Sequence, residues 1–199
     1  MFLMLTLYMQ QVLGYSAMKT GVAYLAVAGT SIIWANVAAA LVSKLGVRLL
    51  ITAGMAILGI GMLLFTQVSV GGSYASDLLP GFLIIAFGMA LCFVPISIAA
   101  LAGVQQAEAG LASGLLNTSQ QVGGAVGIAL LSTIAISRTD DQVASGTALP
   151  QALTSGFQLA FWVGAAIAAA GVIAAVVLIR EEELAPAGAP EVAPAYDAA

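Results

Sequence analysis

Five stretches of this chain contain no charged residue: 20–43, 49–76, 78–107, 109–137 and 142–179. Each exceeds the roughly 20 residues that an α-helix needs to cross the hydrocarbon layer of a bilayer. A charge at mid-bilayer costs about 2.5–3.5 kcal/mol on insertion scales, so neutrality sustained over such lengths marks helices that face lipid. A water-facing helical core would instead show a polar face at every turn. Charged residues make up 7% of the chain and hydrophobic ones 61%, against about 25% charged in a soluble domain. The fold class that follows is all-α: a polytopic transmembrane helix bundle.

Helices are predicted over about 21–42, 48–68, 78–102, 111–136 and 156–179. Residues 1–13, MFLMLTLYMQQVL, are apolar but too short to span. They lack the positive n-region and cleavage site of a signal peptide, and read as the second half of a helix whose first half precedes them. The bundle therefore has about five full spans and one partial N-terminal span. Residues 1–180 form the membrane unit, and 181–199, rich in Ala, Pro and Glu, read as a disordered cytoplasmic tail.

The few charges punctuate these helices. Glu108 precedes the fourth full helix, and Lys44, Arg138 and Arg180 follow helix ends, where the macrodipole favours a cation. Pro95 falls inside the third and predicts a kink, because it removes a backbone donor and its ring clashes with the carbonyl of Leu91. The loop SKLGVR, residues 43–48, carries Lys44 and Arg48 around Gly46, while 69–77 carries no basic residue. The positive-inside rule places 43–48 in the cytoplasm. Alternation then puts 14–20, 69–77 and 137–155 outside, and 103–110 and the tail inside.

The segment GLASGLLNTSQQVGGAVGIALL, residues 110–131, is the most informative. Ser113, Asn117, Gln120, Gln121 and Gly124 share one face at helical period. Amides are costly against lipid unless they find partners or water, so this face points into the bundle or a cavity. Two readings stand: the amides line a substrate path, or they cross-link helices. Gly110 with Gly114 and Gly123 with Gly127 are GxxxG pairs, with Gly124 adjacent, and read as positions of close helix packing. Gln11 and Asn36 are further candidates for a cavity role. Trp34 and Trp162 fit an interface belt, and Cys92 reads as a small core residue.

Several functions are poorly served. With no His and a single Cys, a Cys/His metal site has no ligands, and no cofactor is implied. No basic patch offers a nucleic-acid surface. No predicted span holds an interior acid or base, so neither catalysis nor a proton relay through a titrating side chain has its groups here. The chain does not read as an enzyme.

Residues 101–131, LAGVQQAEAGLASGLLNTSQQVGGAVGIALL, resemble the C-terminal region of the major facilitator superfamily, and most nearly its fourteen-helix drug:proton antiporter branch. LYMQQVLGYSAMKTG (7–21), SKLGVR and GSYASDLLPGFLIIAFGMALCFVP (72–95) are similar in layout to segments of that C-terminal half. Gln120 stands where such transporters often carry a basic residue. The resemblance implies two halves that rock about a midplane site, with this chain supplying most of one. It implies export of amphipathic small molecules in exchange for protons across the plasma membrane. The partners would be an N-terminal transporter half, lipid, substrate and protons, with the coupling acids in the other half and the last helix peripheral. The alternative is a non-transporting membrane remnant or an interaction subunit.

Overall fold

The structure is a computed structural model that describes residues 1–101 and 104–179. The predicted tail, 181–199, and Arg180 lie outside the described residues. A short helix α1 (Phe2–Leu7) continues into a π-helical turn, Tyr8–Val12. Then come α2 (Ala17–Ala23), α3 (Leu25–Leu45), α4 (Val47–Phe65), a second π-helical turn (Tyr74–Leu78), α5 (Leu79–Leu101), α6 (Ala109–Ala144) and α7 (Leu149–Leu178). Grouped by continuity, five helical units are long and apolar enough to cross a membrane: Ala17–Leu45, Val47–Phe65, Tyr74–Leu101, Ala109–Ala144 and Leu149–Leu178. The all-α bundle of five long helices and a short N-terminal one is thus present.

Packing joins α3 to α5, α5 to α4, α4 to α7 and α7 to α6. The ends are tied by side chains that also fix the directions. Gln158 on α7 donates to the Val68 carbonyl just beyond α4 (2.8 Å), and the Arg48 guanidinium at the start of α4 donates to the Val176 carbonyl near the end of α7 (2.5 Å). These two helices are therefore antiparallel. The bundle has a Ser69 end and a Gly46 end.

The main apolar core lies toward the Ser69 end. Phe65, Phe82 and Phe161 pack ring against ring, with centroids 5.7 and 5.5 Å apart. The N-terminal segment plugs this core: Met4, Leu5, Tyr8 and Met9 are all buried. Tyr8 donates its hydroxyl to the Ser69 carbonyl (2.7 Å), and Tyr24 donates to the Phe2 carbonyl (2.8 Å). The first ties the π-turn after α1 to the segment beyond α4, and the second ties α1 to the junction of α2 and α3, so each phenol has an acceptor within the protein.

Close helix crossings rest on glycines that were not singled out in the sequence. A Cβ on Gly54 would lie 2.6 Å from the Cys92 sulfur and 3.0 Å from the Gly88 carbonyl oxygen, and a Cβ on Gly88 would lie 2.9 Å from the Gly54 oxygen. The α4 and α5 backbones touch there because neither residue has a side chain. Gly156 opens the same approach between α7 and the Ala135 carbonyl of α6, and a Cβ on Gly164 would be 3.3 Å from the Met62 sulfur on α4. The last helix is thus no bystander in packing, and its small residues let it lie between two neighbours.

Three boundaries depart from expectation. Helix α6 runs to Ala144 and α7 starts at Leu149, so the predicted loop 137–155 shrinks to residues 145–148. Arg138, Asp140 and Asp141 lie within α6, and Arg138 does not cap its end. Charge marks where lipid stops; it does not stop a helix. Termination waits for Gly146, whose φ of +87° only glycine adopts freely. At about 1.5 Å per residue, α6 is about 54 Å long and must project beyond a ~30 Å hydrocarbon layer. The loop 43–48 likewise reduces to Gly46 alone (φ +77°), since α3 runs through Lys44 to Leu45 and α4 starts at Val47, ahead of Arg48. The single predicted helix over 21–42 is two, joined at Tyr24.

Candidate functional site

The amides of α6 stand on an open side of the bundle. Asn117, Gln120 and Gln121 are exposed, and so are their apolar neighbours Leu115 (67%) and Val126 (62%). None of the three amides makes a hydrogen bond to another helix among the described residues. Thr118, in the same stretch, only returns its hydroxyl to the Gly114 carbonyl of its own helix (2.8 Å). The described residues thus supply no helix that these amides could cross-link.

The glycines of this segment behave alike. Gly110, Gly114, Gly123, Gly124 and Gly127 have no described atom within 4 Å of where a Cβ would stand. The described chain supplies no partner backbone to any of them. Within the described chain, glycines at a close crossing include Gly54 and Gly61 on α4 and Gly81 and Gly88 on α5, each pair two helical turns apart. A Cβ on Gly61 would meet Ile85, and one on Gly81 would meet the Phe65 ring.

Helix α6 becomes buried only farther along, at Leu131 and Ala135. There it packs on α7 and faces the N-terminal segment across a cleft. A cleft of about 340 Å³ opens between α1 with its π-turn, α6 and α7, lined by Met4, Leu7, Gln11, Ser132, Ala135, Ile136, Thr139, Asp140, Leu153 and Phe157. Of the predicted path residues, Gln11 lines this cleft. Sequence reading missed the α6 side of it, because Thr139 and Asp140 were assigned to a loop.

The remaining candidates are dispersed. Asn36 donates to the Ile32 carbonyl of its own helix (3.0 Å) and is exposed. Trp34, by contrast, packs on Phe87 of α5 with centroids 4.3 Å apart. Pro95 is buried in α5, which stays helical across it to Leu101. Lys44 is exposed at the end of α3, and Arg48 is engaged with Val176. At the opposite end, Asp77 accepts from Ser69 (3.4 Å) and from Ser76, and it occupies the space left by the missing side chain of Gly72.

Residues 1–128 match the Major Facilitator Superfamily. The chain belongs to that superfamily. It is 35% identical over 159 residues to a puromycin resistance protein of Streptomyces alboniger, covering 78% of this chain and 32% of that protein. It is 36% identical over 136 residues to a cephamycin export protein of Amycolatopsis lactamdurans, covering 68% and 28%. It is 32% identical over 136 residues to a multidrug resistance protein of Mycobacterium tuberculosis, covering 67% and 25%. The chain spans between a quarter and a third of the length of these relatives. It is therefore a multi-pass membrane chain that covers part of a facilitator fold.

Proposed function

We infer that the chain is the C-terminal portion of a proton-coupled exporter of drugs or other amphipathic small molecules, working by alternating access in the plasma membrane. One observation carries the reading: a chain similar to resistance and export proteins leaves the amide face of its most polar helix without a partner among the described residues. An N-terminal half closing over that side would turn the face into one wall of a path. Helices α1, α3, α5 and α6 would contribute to that wall, with α4 and α7 behind them.

Gln11, Asn36, Asn117, Gln120 and Gln121 are the proposed path residues. Amides suit that role because each offers donors and an acceptor without a fixed charge, so they can hold varied polar groups among apolar walls. Gly110, Gly114, Gly123, Gly124 and Gly127 would admit a further helix backbone on the same side. Coupling needs titrating groups, and these would come from the other half.

The test is sufficiency. Residues 1–199 alone should insert into a membrane yet give no uncoupler-sensitive dye export from vesicles. A matching N-terminal half, supplied with them, should restore it. Export by the isolated chain would overturn the two-half reading. A failure of both forms to export would support a non-transporting remnant.

A further inference from the structure

One short turn receives hydrogen bonds from three directions. The Ser69 carbonyl accepts from the Gly72 amide (3.0 Å), which closes the turn after α4, and it also accepts from the Tyr8 hydroxyl of the N-terminal segment (2.7 Å). A carbonyl oxygen has two lone pairs, so it serves both donors. One residue earlier, the Val68 carbonyl accepts from Gln158 of α7 (2.8 Å). From the α5 side, the Asp77 carboxylate accepts from the Ser69 hydroxyl (3.4 Å) and from Ser76. The turn is thus braced on α7 and α5 where Tyr8 reaches it.

Gly72 leaves room for this arrangement. A Cβ there would fall on the Asp77 carboxylate and 2.9 Å from the Tyr8 hydroxyl oxygen, so the two polar groups converge where the glycine has no side chain. Tyr8 begins one π-helical turn and Asp77 lies in the other, Tyr74–Leu78. Such turns are rare and recur at functional sites. Met4, Leu5 and Met9 bury the N-terminal segment, but apolar packing has no preferred direction. A hydrogen bond of 2.7 Å does have one. Tyr24 fixes only the far end of α1, through Phe2 and Thr6. On its α6 side the segment faces the cleft of about 340 Å³, which leaves it space to shift, and Gln11 of the same π-turn as Tyr8 lines that cleft.

We propose that Tyr8 is a positioning residue: its hydroxyl, seated on the Ser69–Gly72 turn, sets the register of the N-terminal segment and with it the place of Gln11 in the cleft. The ring packs edge-on to Phe157 of α7, centroids 6.3 Å apart, so loss of the hydroxyl alone frees the register while the ring still fills the core. That Gln11 meets substrate rests on the function proposed above; the placing of the segment does not.

The test uses residues 1–199 in nanodiscs, with Cys92→Ala and Gln11→Cys as the background. Two quantities are read: the rate at which a maleimide modifies the cysteine at position 11, and amide hydrogen exchange along the chain. Tyr8→Phe should change the labelling rate about threefold or more and speed exchange over residues 5–13 about tenfold, while α4, α5 and α7 change less than about twofold. Gly72→Ala, which crowds the Tyr8 hydroxyl from the turn, should shift the labelling rate in the same direction. Tyr24→Phe, which frees the other end of α1, should shift it by less than half as much. Circular dichroism checks that each variant is folded. An unchanged labelling rate in Tyr8→Phe or in Gly72→Ala would overturn the proposal. So would an equal effect of Tyr24→Phe, or faster exchange spread evenly over all helices, which would make the Tyr8 hydroxyl a support of the whole bundle. No transport is measured, so these outcomes judge Tyr8 alone, and a failure to export leaves them unaffected.

Discussion

The guanidinium of Arg48 donates to the backbone carbonyl of Val176 at 2.5 Å, across 128 positions of sequence. Arg48 stands in the first turn of α4, where the helix dipole disfavours a cation. Val176 stands in the last turns of α7, where carbonyls lack partners within the helix. The misplaced charge of one helix thus serves the orphan acceptor of another and pins their ends together.

Two basic residues flank Gly46, but only one of them holds the fold. Arg48→Ala should destabilise residues 1–199 by about 1 kcal/mol, the scale of a net hydrogen bond involving a charged group that is partly solvated. Lys44→Ala, at an exposed position, should stay within about 0.5 kcal/mol of wild type. Thermal unfolding in one detergent compares them. Equal shifts for the two variants would mean that loop charge, and not the bond to Val176, carries the effect.

Gly88→Ala sets a Cβ against the Gly54 carbonyl, where nothing can give except the α4 backbone. Overpacking of this kind typically costs about 1–3 kcal/mol. Gly124→Ala meets open space in the described chain and gains helix propensity, so it should be neutral or slightly stabilising in residues 1–199. In a complete transporter the order should tighten: Gly124→Leu should lower folded yield if another helix closes over α6. A Gly124→Leu variant with normal yield in both settings would remove the packing role from that face.

The contrast shows what the sequence could and could not say. Five neutral stretches were enough to place five helices, because the bilayer penalises charge everywhere along its depth. The end of α6 and the start of α7 escape a reading that closes a helix at its first charge, because Arg138, Asp140 and Asp141 simply continue α6 past the lipid. The GxxxG pairs on α6 look like packing motifs, yet spacing alone does not say whether a partner helix stands opposite. The glycines Gly54 and Gly88 stand opposite each other where α4 and α5 cross, with Gly61 and Gly81 one side chain away from the same seam, and that register follows from how the two helices pack rather than from spacing. The cleft at Asp140 was out of reach for the same reason as the α6 boundary.

Orientation can be read by cysteine labelling on a Cys92→Ala background. The positive-inside rule puts the Gly46 end in the cytoplasm. Gly46 itself is a poor labelling site, since its φ of +77° would strain any other residue. Ser43→Cys, exposed near the end of α3 and leaving Lys44 and Arg48 in place, is the better choice. In intact cells an impermeant maleimide should spare it and modify Ser73→Cys, and after permeabilisation both should react. Protection of Ser73→Cys with modification of Ser43→Cys in intact cells would reverse the topology.

The amides of α6 give the most direct test of a substrate path. Asn117 and Gln121 make no interhelical hydrogen bond among the described residues, so Asn117→Ala and Gln121→Ala should leave the unfolding midpoint of residues 1–199 unchanged within about 0.5 kcal/mol. Alanine also has the higher helix propensity, which works in the same direction. In the complete transporter the two readings separate. If the amides line a path, both variants should fold at normal yield while the relative export of several chemically distinct drugs changes, because a lost amide affects only substrates that reach it. If they instead bond to a helix of the other half, stability should fall by about 0.6 kcal/mol on average and at most about 1.7 kcal/mol, as such bonds do in membranes, and export of all drugs should fall together. The two measurements are thermal stability in detergent and export ratios among drugs. Unchanged ratios for both variants would remove Asn117 and Gln121 from the path.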